Sequence, residues 1–151
     1  MTVKNCPCGS ELAYSGCCAP FHRAEREPPT PEALMRSRFS AFARGEWDYL
    51  WRTLHPEHED RATPKDEMLR AMKRTAASYK YMRLCILDAK DARVLFRASV
   101  FEKGKDRSFM ELSTFAHDGV GWRYLSGVAR AADDKPWTIE SFVAAADEPA
   151  S

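Results

Sequence analysis

Two periods divide this chain. From Thr30 to about Ser78 apolar residues recur every three or four positions, and from Tyr79 to about Val128 they alternate. In the first region Met35, Phe39, Phe42 and Ala43 form one helical stripe. Thr30 is placed to cap that helix, with Pro31 at its first position, Glu32 in its first turn and Gly45 as its stop. Trp47, Leu50, Trp51 and Leu54 fall at i, i+3, i+4 and i+7 and predict a second helix. It is expected to close at His55-Pro56, because the residue before a proline is pushed out of the helical region. A third helix is expected after Thr63-Pro64, with Asp66 completing a variant capping box and Leu69, Met72 and Ala76 on its buried face.

Four alternating runs then read as strands, at 79–87, 93–101, 109–116 and 122–128. In the second, Val94, Phe96, Ala98 and Val100 share one face, and Arg97 and Ser99 take the other. The connectors are short and turn-rich, as hairpins require. Helices followed by consecutive antiparallel strands make an α+β pattern, most simply closed by a curved sheet wrapped around the helices. Residues 1–22 show neither period, residues 23–29 (RAEREPP) read as a linker, and 30–128 form the packed domain. In the tail, 129–151, one amphipathic stretch at 138–146 can dock through Trp137, Phe142 and Val143.

Composition narrows the function. The length, 151 residues, suits one ordinary domain. Lys and Arg number 23 against 22 Asp and Glu, so the basic excess that duplex DNA demands is missing. No apolar run approaches the ~18 residues of a membrane span, and no signal-peptide core opens the sequence. A cytoplasmic location is expected.

Cysteine usage is the sharpest chemical signal. Five occur, and Cys6, Cys8, Cys17 and Cys18 lie within thirteen residues. Cys85 sits in the apolar run 82–87 and reads as a buried small hydrophobe. In a reducing compartment, clustered thiols point to metal rather than to disulfides. Two close pairs joined by an eight-residue loop supply the four donors of a tetrahedral ion. Gly9 suits a tight knuckle after the first pair, and Tyr14 and Leu12 can cover one side. Lys4, His22 and Arg23 are near enough to offset its charge. His22 is a rival for the fourth ligand position. Four sulfurs leave no open coordination site, which makes the metal structural; zinc fits, and iron also suits four thiolates. Because residues 30–128 have their own core, losing the metal is expected to unfold residues 1–22 and spare the rest.

CPCGS followed after eight residues by CC resembles the SEC-C motif, the zinc-binding tail of the SecA translocation ATPase. The segments PFH, LMRSRFSAF, TLHP, ELSTF and GWRYLSG extend the likeness to residues 4–128 and resemble the YchJ-like family of small bacterial proteins. That resemblance implies a nuclear-transport-factor-2-like cone, its helices packed in a curved antiparallel sheet, behind an N-terminal SEC-C zinc motif. Carried over, the ligands fall on Cys6, Cys8, Cys17 and Cys18. It also implies a protein partner, a chaperone or the ribosome, engaged through the zinc motif. Here the lysines that help such contacts are missing, since Glu11 to Ser15 stand between the pairs, and RNA contact is correspondingly weakened.

Cone-shaped sheets can hold a pocket between sheet and helices. The pocket candidates are Arg36 and Arg38 on the first helix, Trp51, His55, and Glu111 with Ser113 on the third strand. Glu111, Ser113 and Phe115 share a face by the two-residue period. The favoured reading of Glu111 is a buried ion pair with Arg36 or Arg38, fixing helix to sheet. No residue stands out as catalytic. An adaptor displaying its zinc knuckle, including Pro7 and the hook from Pro20 to His22, is the leading expectation. A small-molecule binder or acid–base enzyme using the cone is the alternative. A cavity above about 300 Å³ with unpaired polar groups would favour the alternative.

Overall fold

Thr30 opens the first long helix as its chemistry dictates. Its backbone is extended and its Oγ1 accepts the Ala33 N–H at 3.1 Å, so an orphan donor of the first turn is satisfied. This helix, α2 (Pro31–Arg44), ends at Gly45, whose φ of 78° is the left-handed region that glycine occupies freely. The computed structural model describes residues 5–146. Ahead of α2 lies a single short turn of helix, α1 (Ala19–His22).

The second long stripe forms α3 (Trp47–Arg52) but stops short of Leu54. There the chain leaves the helix to join the sheet: Thr53 and His55 exchange backbone bonds with Tyr124 at 2.8 and 2.9 Å. Helix α4 (Lys65–Ala77) has no capping box. Pro64 occupies its cap position and has no side-chain acceptor, which leaves Asp66 nothing to complete. Of its expected buried face only Ala76 is fully covered, while Leu69 and Met72 are half-buried.

The strands are β1 (Tyr79–Lys90), β2 (Arg93–Glu102), the two-residue β3 (Lys105–Asp106), β4 (Phe109–His117) and β5 (Trp122–Ala131). They pair antiparallel in the order β1-β2-β4-β5, with β3 beside β2. Register shifts between Tyr81 and Arg83, Ile86 and Asp88, and Thr114 and Phe115 bend the sheet. Its concave face buries Leu84, Val94, Phe96, Ala98, Val100 and Phe115 against Leu34, Met35, Phe39, Tyr49 and Leu50.

The tail builds a second layer. Helix α5 (Ile139–Ala146) buries Ile139 and Phe142 on Leu95, Met110 and Leu112 of the convex face. Phe142 and Trp137 make this contact as expected, whereas Val143 faces solvent. Cys85 does not behave as a core residue. It pairs across the sheet with Arg97, on the face opposite Leu84, where nothing covers it among the described residues. The segment read as a linker is fastened down: Pro28 is buried and Glu27 binds Arg123 at 3.0 Å. Gly121 makes room, since a Cβ there would lie 2.8 Å from the Glu27 carboxylate.

Candidate functional site

The N-terminal knuckle is built by short backbone bonds. Cys6 N–H donates to Leu12 O at 2.7 Å, and Gly9, at φ 85°, donates back to Cys6 O at 3.2 Å. A 3-10 turn at Tyr14–Gly16 then returns Cys17 and Cys18 to the first pair. All four sulfurs lie within 4.8 Å of one another, and none is in a disulfide. Cys8 and Cys17 are 3.5 Å apart, and Cys17 and Cys18 are 3.9 Å apart. Four sulfurs around a tetrahedral ion with zinc-like bonds sit ~3.8 Å from one another. The cluster can therefore hold one metal ion.

His22 is not the fourth donor. Its Nε2–H donates to Ser37 O at 2.8 Å and its Nδ1 accepts from the Tyr14 hydroxyl at 2.6 Å, so both nitrogens are committed. Burial depresses its pKa and keeps the ring neutral. It fastens the knuckle to α2 instead. Leu12 is exposed rather than covering the sulfurs, while Tyr14 packs on them. The positive charge nearest the knuckle comes from α2: Arg36 donates to Cys8 O at 3.0 Å and Arg44 lies 3.6 Å over the Tyr14 ring. Arg23 points to solvent, and Lys4 lies outside the described residues.

Without metal the thiols share protons unequally. Hydrogen bonds to Cys6 and Cys8 hold the Cys18 proton and raise its pKa, while bonds from Cys18 and Cys8 lower that of Cys6. Burial, together with neighbouring Cys8, pushes Cys17 to about 11. An incoming ion must therefore displace thiol protons, that of Cys18 among them. Zinc affinity, measured by competition with a chromophoric chelator between pH 6 and 8, should rise steeply with pH as the ion displaces thiol protons. A pH-independent affinity would contradict this picture of the cluster.

The inner face of α2 borders a cavity of about 660 Å³ between the concave sheet and α4. Its walls are aromatic: Phe39, Phe42, Tyr79, Tyr81, Phe96 and Phe109. Its polar floor is Arg38, Glu111 and Tyr124. Arg38 is 5% exposed and donates from Nη1 to Leu50 O at 2.9 Å and to Thr53 Oγ1 at 2.6 Å. Among the described residues no carboxylate lies within 4.0 Å of its guanidinium. Glu111 Oε2 accepts from the Ser113 hydroxyl at 2.5 Å and from the Tyr124 hydroxyl at 2.8 Å. Burial and the adjacent Glu111 charge raise the Tyr124 pKa, so its phenol stays a donor.

The expected ion pair between Glu111 and Arg36 or Arg38 is thus not formed. Arg36 and Arg38 are two residues apart on a helix, hence on nearly opposite faces, and Arg36 serves the knuckle. Arg38 and Glu111 do reach the cavity, and Ser113 holds Glu111 from beside it. Trp51 and His55 do not line it. Trp51 stacks under Arg61, and His55 is turned to the loop, accepting from Glu57 N–H at 3.1 Å. Sequence reasoning missed Tyr124, the residue that joins the two charges. The available signal was Gly127, a glycine inside a strand: a Cβ there would overlap the Glu111 carboxylate and the Tyr124 hydroxyl.

The family model described as "YchJ, middle NTF2-like domain" matches residues 30–127, the cone with its helices. This chain belongs to the YchJ family. A UPF0225 protein of Deinococcus radiodurans is 42% identical over 125 residues, covering 81% of this chain and 87% of that protein. The UPF0225 protein YchJ of Shigella dysenteriae is 36% identical over 124 residues, 81% of each chain. A SEC-C motif-containing protein from Rhodopseudomonas palustris, solved in solution, superposes with a TM-score of 0.69 at 32% identity, over 86% of this chain and all of that one. A crystal structure of a sec-c motif-containing protein from Psychrobacter arcticus shares the fold, with a TM-score of 0.68 at 22% identity, over 87% and 86% of the two chains. The NTF2-like cone behind an N-terminal cysteine knuckle is therefore the family architecture. Among the described residues no helix is long and apolar enough to cross a membrane.

Proposed function

We propose that the cone binds a small molecule and that the knuckle is a structural zinc site bracing one wall of that pocket. The observation that carries the first half is Arg38, a buried cation without a carboxylate partner among the described residues, sharing a 660 Å³ cavity with the Glu111 carboxylate. Its bonds to Leu50 O and Thr53 Oγ1 hold the guanidinium in place, and a ligand in the cavity gains a fixed donor. The second half rests on donor chemistry. Four sulfurs fill a tetrahedral ion and leave no position for substrate. Free thiol ligands also suit a reducing compartment, the bacterial cytoplasm.

A protein partner seated on the knuckle is the second reading. It is supported by Leu12, which stands 57% exposed at the tip of the loop. One leucine is a small anchor, and the hook from Pro20 to His22 is turned inward, with Phe21 against the core. The pocket reading leads. Ala98 lines the cavity, and Ala98→Leu should fill it. In a thermal-shift screen of small fragments, wild type should be stabilised by a subset, and Ala98→Leu should respond to none of them while melting at or above wild type. Identical responses from the two proteins, or no response from wild type, would refute the pocket.

A further inference from the structure

Resting on that pocket reading, we propose that the ligand is a neutral, flat heterocycle whose edge carries a carbonyl beside a ring N–H, as in a pyridone, pyrimidinone or pteridine lactam. The charge arrangement disfavours a ligand that carries a single net charge. The floor holds one cation and one carboxylate that form no ion pair and share the same phenol: Arg38 lies over the Tyr124 ring, 4.9 Å from its centroid, and the Tyr124 hydroxyl binds Glu111 at 2.8 Å. A ligand carboxylate drawn to Arg38 would be buried beside Glu111, and a ligand ammonium drawn to Glu111 would be buried beside Arg38. Either leaves an uncompensated charge in a low-dielectric site. The lining disfavours anions as well, since it includes Glu59 and Asp60, and Arg107 is engaged by Glu102 at 3.5 Å.

One neutral group satisfies both ends. The hydrogen bonds of Arg38 run from Nη1 alone, so among the described residues Nε and Nη2 have no protein acceptor. Glu111 uses Oε2 for both of its donors, and among the described residues Oε1 receives none. A lactam carbonyl accepts from the guanidinium, and its adjacent N–H donates to the carboxylate. The walls suit a planar ring: Phe42 and Tyr81 stack at 23°, and Phe39 meets Tyr81 edge-on at 85°.

The test titrates the full-length, metal-loaded protein with four probes: 2-quinolinone, N-methyl-2-quinolinone, quinoline-2-carboxylate and naphthalene, followed by calorimetry. The lactam should bind one to one. N-methylation, which replaces the donor with a methyl group, should weaken it at least about tenfold, and the carboxylate should bind more weakly still. Glu111→Gln should erase the preference for the N–H without loss of fold, because Ser113 and Tyr124 occupy the amide oxygen and turn its NH₂ to the ligand. Arg38→Met should reduce lactam affinity by a similar factor and leave naphthalene unaffected. Equal affinity for the lactam and its N-methyl derivative, or a tighter carboxylate, would overturn this ligand class while naphthalene binding, abolished by Ala98→Leu, still upheld the pocket. Failure of all four probes would overturn both.

Discussion

Serine in place of Cys8 should strip the metal, unfold the knuckle and lower the melting temperature of the cone by roughly 6–12 °C. The first effect follows from the ligand count, since a three-sulfur remnant forfeits much of the ~10–16 kcal/mol that zinc supplies to motifs of this size. The second departs from a simple modular view and comes from what the knuckle touches. Cys6 Sγ meets Ser40 Oγ at 3.5 Å, Arg36 donates to Cys8 O, His22 donates to Ser37 O, and Arg52 donates to Phe21 O at 2.9 Å. Three of these side chains or carbonyls belong to α2 itself. At about 1 kcal/mol each, their loss removes roughly 3 kcal/mol from the cone. For a chain of this length that corresponds to about 2–4 °C per kcal/mol. Circular dichroism should show the sheet signal retained and the melt shifted, with chelated wild type matching the variant. An unshifted melt would make the knuckle a passive appendage; complete unfolding would mean that the cone cannot stand on its own core.

Gly127→Ala should be the most damaging single change at the cavity floor. The backbone tolerates alanine there, so the cost is steric: the new methyl overlaps the Glu111 carboxylate and the Tyr124 hydroxyl. Both side chains are held by Ser113 and by each other, so neither moves without breaking a short hydrogen bond. We expect a destabilisation of about 1–3 kcal/mol, typical of overpacking, and loss of ligand binding. Combining it with Glu111→Ala should recover part of that stability, because the carboxylate is gone and the Tyr124 hydroxyl, released from it, can move aside, and the pair should be non-additive in a thermal or urea melt. Additive costs would show that the carboxylate is mobile and not built into the floor.

Local signals carried the element-level reading well. Thr30 and Gly45 bracket α2 because capping is decided within four residues. Alternation along 93–101 placed Val94, Phe96, Ala98 and Val100 on the concave face because strand parity needs no tertiary information. Where the reading failed, a distant partner had intervened. Asp66 lost its box to Pro64, Leu54 was drawn from its helix to β5, and Cys85 landed on the uncovered face of the sheet.

The candidate site divides along the same line. Four cysteines in thirteen residues announce a metal cluster from the sequence alone, since their spacing confines them to one short loop wherever the rest of the chain goes. The chain order of helices and strands likewise determined the cone. Whether Arg36 or Arg38 faces the cavity depends on the rotation of α2 about its axis, which is set by Phe39 and Leu34 packing on one side and the knuckle on the other. That Glu111 meets Tyr124 rather than an arginine depends on the β4–β5 register and its shift at Thr114. Tertiary structure alone decided these, because contacts between residues far apart in the chain are chosen by packing and register rather than by neighbouring residues.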